Sequence, residues 1–227
     1  HNIRATFFIV GKDLALTSAR NFCRETLSRG HRIANHTEGH PIDFATATYE
    51  EKRREIEQCH QNILDATGVA PIGFRAPGYS LDAEIIDILS SLHYAYDSSV
   101  LPGYANYLMW AYFVCTQRAA QGKLFGRRHY PLLSRRPSIL AQYSTEQSLI
   151  ELPVSILPFL RIPMHPTFLY PFGMRYFNIM KHGYRLSPRH HTYLFHAIDF
   201  VDIPETTTPN NPIIPLRWPW EKRKELI

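Results

Sequence analysis

The sequence predicts an α/β fold: a parallel sheet or barrel with helices packed outside it. Two observations carry this. Over the first hundred residues, strand-like runs alternate with helix-like runs, the pattern of a parallel sheet. The residues with chemical potential in that stretch, His36, Arg75 and Asp97, fall at strand ends, where such folds build their sites.

The elements follow in order. "IRATFFIV" at 3–10 is rich in β-branched and aromatic residues and ends at Gly11, so it reads as a buried strand. Residues 17–29 read as a helix stopped by Gly30. "HRIAN" is a short strand leading into "HTEGH". The next helix opens with a capping box, Thr48 with Glu51, and ends at Gly68. Its apolar positions Tyr49, Ile56, Cys59 and Ile63 keep helical spacing. "IGFRAP" is a strand entering a turn, 82–92 a helix and "YAYDSS" a strand.

The second half is less regular. Residues 103–147 read as a basic insertion with a helical start, 149–155 as a strand, 168–181 as helical, and 191–200 as a strand ending near His196. With no repeat or linker, residues 1–227 are expected to form one domain. At 227 residues and 44% hydrophobic, the chain can bury a sizeable core. The formal charge is +5, part of it in the acid-free stretch 117–136. That stretch lacks any nucleic-acid recognition motif, so a solvated insertion is favoured and no nucleic-acid partner is expected. Three cysteines, Cys23, Cys59 and Cys115, form no C-x-x-C pair and read as buried thiols. The greasy run 153–173 holds Arg161, His165 and five prolines and does not read as a membrane span.

Four short motifs carry chemistry. His36 and His40 are the only pair among 12 histidines spaced by four. On a helix that spacing puts both imidazoles on one face, a common metal grip; a hydrogen-bonded turn is the plain alternative. In "FRAPGYS", a stiff turn holds Arg75 where it could orient a carboxylate, and leaves backbone N–H groups to face an oxyanion; a surface ion pair is the alternative. Asp97 in "YDSS" could tune a histidine or simply cap a turn. His196 in "LFHAID" follows apolar residues and could serve as a general acid or as a satisfied core histidine.

Taken together and in this order, "NHTEGH", "FRAPGYS", "YDSS" and "LFHAID" resemble the polysaccharide deacetylase family, the NodB-like carbohydrate esterases. The resemblance is specific over residues 1–100 and looser to about 200. It implies a distorted (β/α)7 TIM-like barrel, a divalent metal, most simply Zn2+, and hydrolysis of an N-acetyl group on a glycan or glycolipid. It implies that His36 and His40 are metal ligands and that Arg75 holds the catalytic base. Pro77, Gly78 and Tyr79 then line the substrate and oxyanion region, His196 is the acid, and Asp97 raises its pKa. The family often places an aromatic directly after the Pro; here Gly78 precedes Tyr79.

The family's first motif, an Asp-Asp pair supplying the base and the third ligand, has no counterpart near His1. It is expected upstream, with the first strand, and the C-terminus is expected to be cut as well. The 227 residues alone are then expected to fold poorly and to lack deacetylase activity. Two other readings stay open: a non-catalytic glycan-binding member of the fold, and a deformylase acting on a lipid-linked sugar.

Overall fold

The computed structural model describes residues 3–41, 44–103, 137–157, 161–163, 166–185, 191–202 and 217–224. Most of the expected basic insertion, with Cys115, lies outside the described residues. The chain divides into two compact units, residues 1–101 with 106–153, and residues 102–105 with 154–227.

The first unit is a six-stranded sheet with helices. Its strands are β1 (Thr6–Ile9), β2 (Arg32–Asn35), β3 (Gly73–Phe74), β4 (Tyr96–Asp97), β5 (Ser138–Gln142) and β6 (Ser148–Glu151), in the order β1-β2-β3-β4-β6-β5. The pairs from β1 through β4 to β6 are parallel, and β5 closes back antiparallel on β6. Strand β5 falls inside the stretch read as an insertion.

The helices of this unit are α1 (Thr17–Ser28), α2 (Tyr49–Thr67) and α3 (Ala83–Ser91). Helix α2 begins as its sequence dictates: the Thr48 side chain accepts from Glu51 N, and the Glu51 carboxylate accepts from Thr48 N. It ends at Gly68 in the left-handed conformation, which costs glycine little. Asp82 caps α3 by accepting from Ile85 N at 2.9 Å.

Two apolar clusters fix these layers. Leu14, Cys23, Ile33, Cys59, Ile63 and Ala66 join α1 and α2 to the β1–β2 side of the sheet. Ile56, Phe74, Ile85, Ile88, Leu89, Tyr94 and Leu149 join α2 and α3 to the centre of the sheet. Lys52 bridges the two helices at a buried position, with Nζ 2.7 Å from Asp82 Oδ2 and 2.6 Å from Glu84 Oε2. Burial disfavours the ammonium, but the two carboxylates outweigh that penalty and hold its pKa above the ordinary lysine value.

The second unit contains α4 (Pro166–Arg185), interrupted at Gly173 (φ 61°, ψ −159°), and α5 (Trp220–Lys224). Leu157, Tyr176 and Met180 form its core. The strand expected over 191–200 is not formed. Residues 191–196 take no regular secondary structure, with Ser155 N donating to Thr192 O at 3.1 Å, and Ala197–Phe200 make a 3-10 turn. Asp199 is the cause: its carboxylate accepts from His196 N at 2.7 Å, and its own N–H donates to His196 O at 2.9 Å. No helix among the described residues is long and apolar enough to cross a membrane.

Ile85 is fully buried between α3 and the sheet. Ile85→Ala removes three carbons from a packed core and should cost about 2–5 kcal/mol, read from urea unfolding curves.

Candidate functional site

The ends of β2, β3 and β4 bring His36, His40, Arg75 and Asp97 into one region of the first unit. The anchor is Asn35, the last residue of β2, which is fully buried. Its Nδ2 donates to Ile56 O of α2 and to the Tyr94 hydroxyl, both at 2.9 Å. Its Oδ1 accepts from Thr37 N at 2.8 Å. The strand is thereby tied to the helix, and the residue after His36 is fixed.

The histidine pair is not on a helix, as its spacing suggested; residues 36–41 form a loop. Thr37 and His40 take left-handed backbone angles, φ 65° and 53°. The loop's amides bond to Glu55 of α2 and to the Thr37 hydroxyl rather than to carbonyls four residues back. Glu38 N donates to Glu55 O at 2.9 Å, Gly39 N to Glu55 Oε2 at 2.7 Å, and His40 N to Thr37 Oγ1 at 3.1 Å. Gly11 sits beneath, donating to Thr37 O at 3.0 Å. A Cβ there would run into the Glu38 carboxylate and approach Cys59 Cα to 3.0 Å. The loop still achieves what the spacing promised, because the two imidazole centroids stand 4.8 Å apart.

His36 Nδ1 lies 2.6 Å from the carbonyl oxygen of Arg75. A carbonyl only accepts, so Nδ1 carries the proton and Nε2 keeps the lone pair in the neutral ring. This is the outer hydrogen bond that metal-ligating histidines usually make. Two imidazoles suit a borderline cation such as Zn2+. Among the described residues, no group of three or more His, Cys, Asp or Glu is placed to hold a metal ion. The donor set is therefore two-thirds of a typical catalytic site.

Arg75 is buried, not on the surface. Its Nε donates to Ser98 O at 2.8 Å and its Nη2 to Ser98 Oγ at 2.7 Å. Its guanidinium carbon lies 4.2 Å from the centre of the Phe8 ring. No carboxylate among the described residues forms an ion pair with it. Burial lowers its pKa, opposed by Tyr79, Asp97 and Glu151. The following turn, Pro77–Tyr79, carries left-handed angles at both Gly78 (φ 62°) and Tyr79 (φ 59°). The second is unusual for a residue with a Cβ and costs about 1–2 kcal/mol. Ala76 N donates to Ser99 Oγ at 2.8 Å, tying this turn to the end of β4.

Asp97 is fully buried. Its Oδ1 accepts from Ser99 Oγ at 2.6 Å and its Oδ2 from Ser99 N at 3.1 Å. Beside it stands Glu151, paired with it in the β4–β6 register and also buried. Glu151 escaped the sequence reading because "IELPV" looks like any core strand; a carboxylate inside an apolar strand was the available signal. His196 lies in the second unit, at the start of the 3-10 turn. That turn is held by Tyr170, whose hydroxyl donates to Asp199 Oδ1 at 2.7 Å. It is also held by the buried Arg223, which donates to the carbonyls of Trp218, Ile198, Asp199 and Val201.

The geometry defines an α/β protein with a histidine-pair loop and a buried arginine at adjacent strand ends. Residues 1–96 match the family model described as polysaccharide deacetylase, so over this stretch the resemblance to that family is shown. The match includes His36, His40 and Arg75 and stops one residue before Asp97. The peptidoglycan-N-acetylglucosamine deacetylase of Bacillus cereus is 32% identical over 77 residues, which are 34% of this chain and 27% of that protein. The peptidoglycan-N-acetylglucosamine deacetylase PgdA of Listeria monocytogenes is 24% identical over 87 residues, 38% of this chain and 18% of that protein. The chain thus spans about a quarter or less of the length of these curated relatives. Among solved structures, a Mycobacterium smegmatis protein named as a candidate polysaccharide deacetylase superposes with a TM-score of 0.50 and 20% identity. That superposition covers 80% of this chain and 56% of that one, and it shows the shared fold.

Asn35→Ala should leave Thr37 N without its acceptor, while Ile56 O, inside α2, keeps its helical donor. A buried unsatisfied group costs about 1–3 kcal/mol, and a loss of about that size is expected in denaturant unfolding.

Proposed function

We propose that this chain provides the histidine-pair and arginine part of a metal-dependent hydrolase that removes N-acetyl groups from a cell-surface polysaccharide. The observation that best supports this is the locked tautomer of His36, with the His40 ring beside it. His36 and His40 would hold the cation, most simply Zn2+, with a third ligand from outside the described residues. When bound, the cation supplies Lewis-acid polarisation of the acetyl carbonyl and a lowered pKa for water.

The chain's own residues account for the remaining roles. The Arg75 guanidinium, buried and without an ion pair among the described residues, suits a carboxylate base that it orients in two-point fashion. The backbone N–H of Gly78 is assigned to the developing oxyanion, and Pro77 and Tyr79 to the wall around it. His196 is assigned proton donation to the leaving amine. Asp97 is assigned to tuning that acid, as the resemblance implies; its described donors are both on Ser99.

Zn2+ affinity tests the ligand assignment directly, by competition with a chromophoric chelator. Losing an outer hydrogen-bond partner costs about 10–100-fold in metal affinity, so His36→Ala and His40→Ala should each lose about 100-fold or more. Unchanged affinity in both variants would remove the histidines from the site.

Deacetylation is read as free amine released from N-acetylglucosamine oligomers. In a protein that also carries the third ligand, it should stop with a chelator and return with added Zn2+. The two-ligand donor set favours one other reading, a glycan-binding member of the fold without chemistry. Oligomer binding that survives chelation, with no amine released by a protein that also carries the third ligand, would establish that alternative.

A further inference from the structure

The end of β4 holds a carboxylate pair of which the proposed chemistry uses only Asp97. Asp97 and Glu151 are neighbours in the parallel β4–β6 register, and their exposures are 0% and 3%. Their donors are unequally divided. Asp97 accepts twice from Ser99. Glu151 Oε1 accepts from Val100 N at 3.0 Å, while Glu151 Oε2 is buried with no donor. Two ionised carboxylates side by side in a buried site repel and pay full desolvation. A single proton between them removes the repulsion, leaves one buried charge instead of two, and gives Oε2 a partner.

Among the described residues, the cation that faces the pair is Arg75, and the tyrosines facing Arg75 are Tyr79 and Tyr96. Arg75 makes no ion pair with either acid; it is bound to Ser98 instead. Ser98 is itself clamped, its Oγ donating to Leu152 O at 2.7 Å, and Leu152 N donating to Asp97 O at 2.7 Å.

We propose that Asp97 and Glu151 share one proton, carried by Glu151, and that Glu151 is thereby a positioning residue for Arg75. With one proton in place, the pair holds the 97–100 turn without drawing the guanidinium down into an ion pair. Arg75 then keeps its charge available to an incoming anion. This holds whatever substrate Arg75 serves, so it stands apart from the deacetylase reading.

Burial, then the Asp97 charge, push the Glu151 carboxyl well above the ordinary value of 4.5. A group that binds its proton more tightly when folded stabilises the fold fully below the unfolded pKa. That contribution is lost as pH rises from there through the folded pKa. The stability of the chain relative to Glu151→Gln should therefore fall as pH rises above 4.5.

The direct test is a carbon-13 carboxyl titration of glutamate-labelled chain, with the Arg75 Nε–H resonance followed alongside. One glutamate should titrate well above the others, and Arg75 Nε–H should shift with the same midpoint. In Glu151→Gln that titration should vanish and the Arg75 resonance should stay constant with pH. Should Glu151→Gln not fold, Asp97→Asn is the second variant. Its amide donates to Glu151, and the raised titration should drop toward the ordinary range. The proposal fails if every glutamate of the unaltered chain titrates normally. It also fails if the raised titration survives Glu151→Gln or is unmoved in Asp97→Asn, or if Arg75 Nε–H ignores it.

Discussion

The arrangement at the strand ends depends on how one buried amide, that of Asn35, spends its hydrogen bonds. A fully buried asparagine is costly unless it is satisfied. Here its bonds reach helix α2, the Tyr94 hydroxyl and the first turn of the histidine loop. Its backbone oxygen also accepts from Arg75 N at 3.0 Å. Strand β2, helix α2, strand β3 and the loop are thus referenced to one residue. The His36 ring takes its orientation from the Arg75 carbonyl, and the Arg75 backbone takes its place from Asn35. Ring, carbonyl and guanidinium are set together, so a displacement of β3 against β2 would move the histidine and the arginine jointly.

Much of this was legible in the chain because the local signals agreed. The capping box at Thr48 and the glycine stops at 30 and 68 each have a local mechanism. The strand-end positions of His36, Arg75 and Asp97 followed from the alternation. What was not legible depends on long-range partners. The i, i+4 spacing of the histidines is indifferent to whether a helix or a loop carries it; Glu55, fifteen or more residues away, decided for the loop. The run 191–200 reads as a strand, yet Asp199 and Arg223 hold its second half, Ala197–Phe200, in a 3-10 turn. Glu151 was hidden for the converse reason, since a buried acid becomes visible only once its neighbour across the sheet is known.

Arg75 illustrates how such a site tolerates its own expense. A cation withdrawn from water loses solvation that a hydroxyl, a carbonyl and an aromatic face only partly replace. Phe8 and Ser98 supply these. The remaining compensation is left to charges at a distance, and such a group is responsive to an anion brought near.

Cys59 gives the layered fold a further property. Its thiol is wholly enclosed between α2 and β1, donates to Ile9 O at 3.4 Å, and is pushed by burial up to about 12. The thiolate is the nucleophilic form, so in the closed fold this cysteine is inert toward disulfides and electrophiles at neutral pH. It reacts when α2 lifts from the sheet, and α2 also supplies the Glu55 contacts of the histidine loop. The rate at which Cys59 is labelled is therefore an intrinsic clock for the opening of that loop's foundation.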